Sequence, residues 1–405
     1  MKCNQSWAAA GRTLAVVTVA LIVTLVLASS AWAVEGKVLY KFQTRPDGAH
    51  PEAGLILDTA GNLYGTTAYG GAYDSGTVFK LTPNPDGSWG ESVIHTFRKP
   101  YGAHPYAGLI FDAAGNLYGT TEEGGAYGLG TMFKLSPNPD GSWSESLIHS
   151  FSGADGAYPD AGLIFDAAGN LYSTTGEGGA YGVGTVFKLS PNPDGSWSES
   201  VVYNFSGGAD GGYPSAGLIF DATGNLYGTT YGGDANWGGT AFKLTPNPDG
   251  NWFESTIYTF RGRDGRPAAG LSLDAAGNLY GTTVFGGAYD QGTVFNLTPK
   301  PDGTWTRSKL HAFKGPDGAH PYHAGVILDT AGNLYGTTAD GGAYDSGTVF
   351  KLAPQPDGSW KLTKLHVFKN HQKPFAGLVM NAAGNLYGTA QYGGLGNGEV
   401  FQITP

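Results

Sequence analysis

The chain has a single cysteine, Cys3, and it lies ahead of the one long apolar run; everything after that run is free of cysteine. Disulfides are thereby excluded as a source of stability, which must come from packing or from closure of the fold. A lipid-attachment cysteine would follow the run, which argues against a lipoprotein. Arginine is scarce past residue 33, confined to Arg45, Arg98, Arg261, Arg263, Arg266 and Arg307. No stretch carries helical periodicity, no second apolar span occurs, and no tail anchor precedes Pro405.

The first 33 residues read as a signal peptide. Lys2 and Arg12 give the positive start, Leu14 to Ala28 is an uncharged apolar run, and Ala31-Trp32-Ala33 is a small-x-small cleavage pattern. The expected mature chain is a single domain, 34–405, exported to the periplasm, the cell surface or the medium. An uncleaved membrane anchor is the alternative, although the run is short for a span of about 20 residues. Residues 34–405 carry 21 basic against 33 acidic side chains, a net charge of −12. That sign argues against nucleic acid and anionic membrane as partners, and like charge favours a monomer.

What the chain has in abundance is repetition. Gly-Asn-Leu-Tyr starts at positions 61, 115, 169, 224, 277, 332 and 384, so seven copies follow one another at steps of 52 to 55 residues. In the second copy, four short β-rich runs (109–112, 117–121, 131–135 and 143–151) are separated by turns of Ala-Gly-Asn, Gly-Gly and Pro-Asp-Gly type. Four antiparallel strands repeated seven times predict an all-β fold, a seven-bladed β-propeller. The strands are apolar on both faces, as blades sandwiched between neighbours require. Gly54, Gly108, Gly162, Gly217, Gly270, Gly325 and Gly377 recur at the innermost strand, where converging blades approach closely. The last copy stops after its third strand, and Lys37-Val38-Leu39-Tyr40-Lys41-Phe42 matches the missing fourth. The N-terminal strand is therefore expected to complete the last blade and close the ring. Solenoids need polar capping repeats, and there are none. Lys80, Lys134, Lys188 and Lys243 each precede Glu91, Glu145, Glu199 and Glu254 by eleven residues, which predicts cross-strand ion pairs.

Tandem Ala-Gly-Leu-Ile-x-Asp-x-x-Gly-Asn-Leu-Tyr-Gly-Thr-Thr units followed by Gly-Thr-Val-Phe-Lys-Leu resemble the GloVer-type repeat of "choice-of-anchor" secreted bacterial proteins, over essentially all of 37–405. The resemblance implies export and, in many members, a C-terminal anchor, from which this chain departs. It implies no activity and no catalytic residues. The Asp-x-x-Gly-Asn-Leu-Tyr turn is also similar to NHL repeats, and Pro-Asp-Gly-Ser-Trp more loosely to the sialidase Asp-box.

Propeller topology sorts the loops onto two faces. One carries the repeated turn acids Asp58, Asp112, Asp166, Asp221, Asp274 and Asp329. These read as turn-stabilising residues ahead of calcium ligands, because each would need several oxygen partners in one place. The six tryptophans that begin outer strands (Trp89, Trp143, Trp197, Trp252, Trp305, Trp360) read as packing. The opposite face carries the blade-to-blade loops and the Gly-Gly connections, where the repeats differ. Tyr69, Glu123, Glu177, Tyr231, Phe285, Asp340 and Tyr392 are the candidate ligand residues there, aromatics among carboxylates that suit a glycan or a protein partner. Glu123 and Glu177, with Glu122, are candidates for a catalytic carboxylate pair. His50, His104, His320 and His371 lie in loops of four contiguous blades and are the candidate metal ligands, against a shared aromatic role with Tyr158 and Tyr213. Four further histidines (His95, His149, His311, His366) occupy outer strands expected to be too far apart to share an ion. The innermost strands hold almost no polar side chain, so a buried axial site is not expected. No cofactor motif is present. The leading expectation is a binding module; a polysaccharide hydrolase or lyase and a structural envelope protein are the alternatives.

Overall fold

A computed structural model describes residues 34–43, 45–233 and 238–405; residues 1–33, expected from sequence to be a signal peptide, lie outside them. Among the described residues, 28 strands form seven four-stranded antiparallel sheets. The last sheet joins β1 (Glu35–Lys41), from the start of the chain, to the end of the chain. Blade one follows as β2 (Ile56–Leu57), β3 (Leu63–Thr67), β4 (Thr77–Pro83) and β5 (Trp89–Thr96), and blade two as β6 (Ile110–Phe111), β7 (Leu117–Thr121), β8 (Thr131–Pro137) and β9 (Trp143–Ser150). Blades three to six are β10–β13 (164–204), β14–β17 (219–259), β18–β21 (272–312) and β22–β25 (327–367). Blade seven contains β26 (Val379–Met380), β27 (Leu386–Ala390) and β28 (Glu399–Thr404), in the order β1-β28-β27-β26. No described helix is long and apolar enough to cross a membrane.

Closure by the N-terminal strand is a full structural match to the sister blades. Lys37 pairs with Gln402 and Tyr40 with Val400, with one extra residue bulged between Val38 and Tyr40. The same irregularity lies between Val78 and Phe79 against β5, and again in the other outer pairs. The hydrophobic core is correspondingly a ring of seven clusters, each at a blade junction. At every junction a phenylalanine just past one outer strand meets, edge to face, a phenylalanine of the next blade's third strand. Phe42 lies 5.0 Å from Phe79 and Phe97 lies 4.9 Å from Phe133. These rings are fully buried and supply the stabilisation that disulfides do not. At the axis the glycines touch: a Cβ on Gly325 would stand 2.9 Å from the Gly270 carbonyl oxygen, and one on Gly108 3.2 Å from that of Gly54.

The predicted lysine–glutamate ion pairs do not form. Lys80 is opposite Ser92, while Glu91 is opposite Leu81. A spacing of eleven is one residue short of the true register, and one residue moves a side chain to the other face of the sheet. The lysines lie instead over tyrosine rings of their own blade, Lys80 Nζ at 5.5 Å from the Tyr64 centroid. The tryptophans pack as expected, Trp89 against Tyr387 and Trp197 against Tyr118. The turn acids are likewise consumed locally. Asp58 accepts from the backbone N–H groups of Ala60 and Asn62 and from the side chains of Asn62 and Tyr64.

Candidate functional site

The geometry of the variable face begins with a four-residue turn, X-Pro-Z-Ala, that leads into the innermost glycine of each blade. X is His50, His104, Tyr158, Tyr213, Arg266, His320 or Lys373, and all but Arg266 have φ between 49° and 57°. Left-handed backbone is uncommon outside glycine. It is held by two hydrogen bonds that stitch neighbouring blades. His104 N–H donates to Ser75 O of the preceding blade at 3.0 Å, and His104 O accepts from Glu122 N–H at 3.0 Å. The turn delivers the next-but-one residue, Z, to the mouth of the axis.

The Z residues Glu52, Tyr106, Asp160, Ser215 and Ala268, with Glu122 and His323, line an axial funnel of about 420 Å³. A lobe of about 640 Å³ over blades three to five shares Glu122, Asp160, Ser215, Ala268 and His323 with it and adds Tyr158, Glu177, Tyr213, Tyr231 and Tyr322. The expectation of an axis without polar groups thus holds for the strands and fails for the turn just ahead of them.

Electrostatics mark the same residues. Burial, reinforced by the charges of Glu122, Glu177 and Glu52, pushes the Asp160 carboxyl up to about 7. Burial likewise raises Glu52 to about 7, against a hydrogen bond from Gln391 Nε2 at 2.6 Å and with the charge of Glu122 adding to the rise. Glu122 is raised by burial and by Glu123. Asp160 Oδ1 is shielded and has no hydrogen-bond partner. Each of these charges makes its neighbours harder to ionise, so the acids of the funnel titrate as a coupled group. Three acids and no lysine or arginine line it; Arg266 stacks on the Tyr231 ring at 5.5 Å.

The residues predicted from sequence separate into groups. Glu177 and Tyr231 line the lobe. Tyr69 and Tyr392 flank His50, with ring centroids at 5.6 and 5.1 Å, and Tyr69 also contacts His104 and bonds the Tyr106 hydroxyl at 2.7 Å. Phe285 packs on His320, whose Nδ1–H donates to Asp340 at 2.9 Å, and Lys373 binds the other Asp340 oxygen at 2.8 Å. Glu123 is paired with Lys99, which neutralises it and leaves Glu177 with Asp160 and Glu122 as the acids facing one cavity. The four candidate metal histidines have separate surroundings: His104 Nδ1–H donates to Ala68 O, His320 Nδ1–H to Asp340, the backbone N–H of His371 to Ser346 Oγ, and the His50 ring sits between Tyr69 and Tyr392 with Nδ1 unpartnered. None of them belongs to a group of three ligating side chains within 4.8 Å among the described residues.

Sequence reasoning missed Glu52, Asp160 and His323. The signal was present as the one varying residue between an unvarying Pro and Ala-Gly. His323 is further hidden by a one-residue insertion, Pro321-Tyr322-His323-Ala324.

Fold and site together define a closed seven-bladed propeller with an acidic, tyrosine-walled axial mouth. The chain belongs to the Gloeobacter/Verrucomicrobia repeat family, whose model matches residues 26–163, 85–271 and 247–405. No curated protein matches it in sequence. Among solved structures it is similar to a protein of Bacteroides uniformis described as a candidate 6-phosphogluconolactonase, at 16% identity and a TM-score of 0.52, over 79% of this chain and 86% of that one. It is also similar to a gluconolactonase of Xanthomonas campestris, at 13% identity and a TM-score of 0.44, over 91% and 89%. The first of these likenesses is one of fold alone.

Proposed function

We propose that this propeller is an exported binding protein for a neutral saccharide, held in the axial funnel and its lobe. The observation that carries the reading is the lobe itself, four tyrosines (Tyr158, Tyr213, Tyr231, Tyr322) facing Glu122, Asp160 and Glu177 in about 640 Å³. Aromatic faces pack against the C–H face of a sugar ring, and carboxylates accept from its hydroxyls. The volume falls within the usual range for small-molecule sites, about 300–1,000 Å³. The acidic lining argues against phosphorylated or carboxylated sugars. The test is a glycan array probed with the purified protein, alongside Tyr231→Ala and Asp160→Asn. Retention on neutral glycans that falls at least tenfold in both variants supports the reading; retention unchanged in both, or none on any glycan, overturns it.

One observation favours a second reading, hydrolysis of the bound sugar or sugar ester. Asp160 and Glu52 are both poised at about 7, where one carboxyl can donate a proton while a neighbour accepts one. Cleavage products on the same array, lost in Asp160→Asn while binding persists, would distinguish an enzyme from a binding module.

A further inference from the structure

Outside the funnel, blade junctions carry a second polar grouping on their outer side. A histidine or tyrosine near the end of one outer strand bonds an aspartate in the loop that follows. His149 Nε2 lies 2.9 Å from Asp155 Oδ2, Tyr203 Oη 3.1 Å from Asp210, Tyr258 Oη 2.9 Å from Asp264, and His311 Nε2 2.9 Å from Asp317. The next blade's outer strand then offers one residue to the same place: Glu199 beside Asp155, Glu254 beside Asp210, and Arg307 beside Asp264.

The Arg307 junction shows what such a position accommodates. Its guanidinium is nearly buried and sits 3.1 Å from Asp264 Oδ1, so the fold itself places a positive charge where the Asp155 and Asp210 junctions place a second carboxylate. At the junction of blades two and three the equivalent set is His149, Asp155 and Glu199. One ligating atom from each lies within 4.8 Å of the others. Glu199 Oε1 is shielded from solvent and has no hydrogen-bond partner. The two carboxylates face each other there, with the His149 imidazole as their shared neighbour.

We propose that His149, Asp155 and Glu199 form a zinc-class divalent metal site that pins blade two to blade three, in the position that Arg307 fills with its own charge two junctions on. The donor set of one imidazole and two carboxylates draws on the ligand types that zinc takes, with water completing the tetrahedron. Zinc bonds of about 2.0–2.2 Å bring ligand atoms to roughly 3.3 Å, within reach of a rotation of the Glu199 side chain. Asp155 Oδ1 is already fixed by Ser152 N–H at 2.8 Å and by Ser152 Oγ at 2.9 Å, which leaves Oδ2 for the metal. The His149 ring proton resides on Nδ1 in the bound form, freeing Nε2 as the ligand. The sister junctions lack the full set, since Leu362 stands opposite the His311–Asp317 pair and tyrosine replaces histidine at Asp210. No two outer-strand histidines belong to this group; His149 gains its partners because the loop aspartate and the next blade's glutamate come to it.

The test is calorimetric titration of chelator-stripped protein with zinc chloride, with melting temperature read in parallel. Wild type is expected to take up one equivalent and to melt higher when saturated. Glu199→Arg, which copies the charge of Arg307, is expected to stay folded and lose that equivalent, as is His149→Ala; Glu199→Gln should weaken it at least tenfold. His366→Ala, in a junction without the acids, should change nothing. Absence of saturable uptake by wild type overturns the assignment. Uptake unchanged in both Glu199→Arg and His149→Ala, or uptake of calcium in place of zinc, does so equally.

Discussion

The hydroxyl of Tyr118 lies 3.0 Å from Asp112 Oδ2, and the same bond closes the inner turn of the first six blades. Burial pushes these aspartates up. The bonds from asparagine, tyrosine and backbone N–H groups outweigh it and hold all six below the usual carboxylate range, Asp221 down to about 2. A depressed folded pKa gives stability that is complete above the unfolded value near ~3.9 and lost as pH falls through the folded one. Acid unfolding followed by circular dichroism should therefore be steep between about pH 4 and 2, with an uptake of several protons. Blade seven carries Asn381 in the same place, accepting from Ala383 and Asn385 and donating to Tyr387. Asp112→Asn should accordingly fold, cost about 1 kcal/mol at pH 7 and remove one proton from the acid transition.

Asp160 should behave in the opposite sense. Its folded pKa of about 7 lies above the unfolded value, so the folded state binds the proton more tightly and loses stability as pH rises from about 4 to about 7. Asp160→Asn, a near-isostere of the protonated acid, is expected to leave the melting temperature unchanged at pH 4.5. At pH 8 it should stabilise by on the order of 2 kcal/mol, after allowance for water in the funnel. Calorimetric scans at the two pH values check the difference; equal shifts at both would refute it.

Register makes a prediction of its own. Lys80 and Glu91 leave opposite faces of one hairpin, so a double-mutant cycle with Lys80→Ala and Glu91→Ala should give a coupling energy near zero. The pair Arg307 and Asp264, at 3.1 Å with the guanidinium nearly buried, should couple by about 2 kcal/mol. Urea melts of the single and double variants measure both.

Ring closure rests on β1 and on Phe42, which is fully buried against Phe79. Phe42→Ala is expected to cost about 3–5 kcal/mol. Deleting residues 34–42 would bare the β28 edge and leave that junction open. Size-exclusion chromatography should then show association or aggregation in place of a single species; an unchanged elution profile would count against the closure.

The ring, its closing strand and the two loop faces were legible in the sequence because each is written seven times, or conspicuously six. The innermost glycines and the outer tryptophans were readable for the same reason. Single-copy features were harder. Glu52 and Asp160 each occur once at a position that elsewhere holds Tyr, Ser, Ala or Phe, so no periodic signal marks them as acids of one cavity. The Lys80–Glu91 spacing did repeat, yet spacing alone does not reveal a register, and a one-residue error reverses the face. Glu123 and Glu177 occupy the same repeat position, but Lys99 neutralises the first while the second lines the lobe. A cation from a neighbouring loop is invisible to a comparison of repeats.

Pairing the first strand with the last also sets an order of events during synthesis. Val38 finds Phe401 only after every intervening blade has been translated, so the opening segment waits, unpartnered and apolar, for almost the whole chain to follow. A growing polypeptide built this way is sealed by its own completion. Factors that shield exposed β-segments during synthesis would act chiefly on these earliest residues.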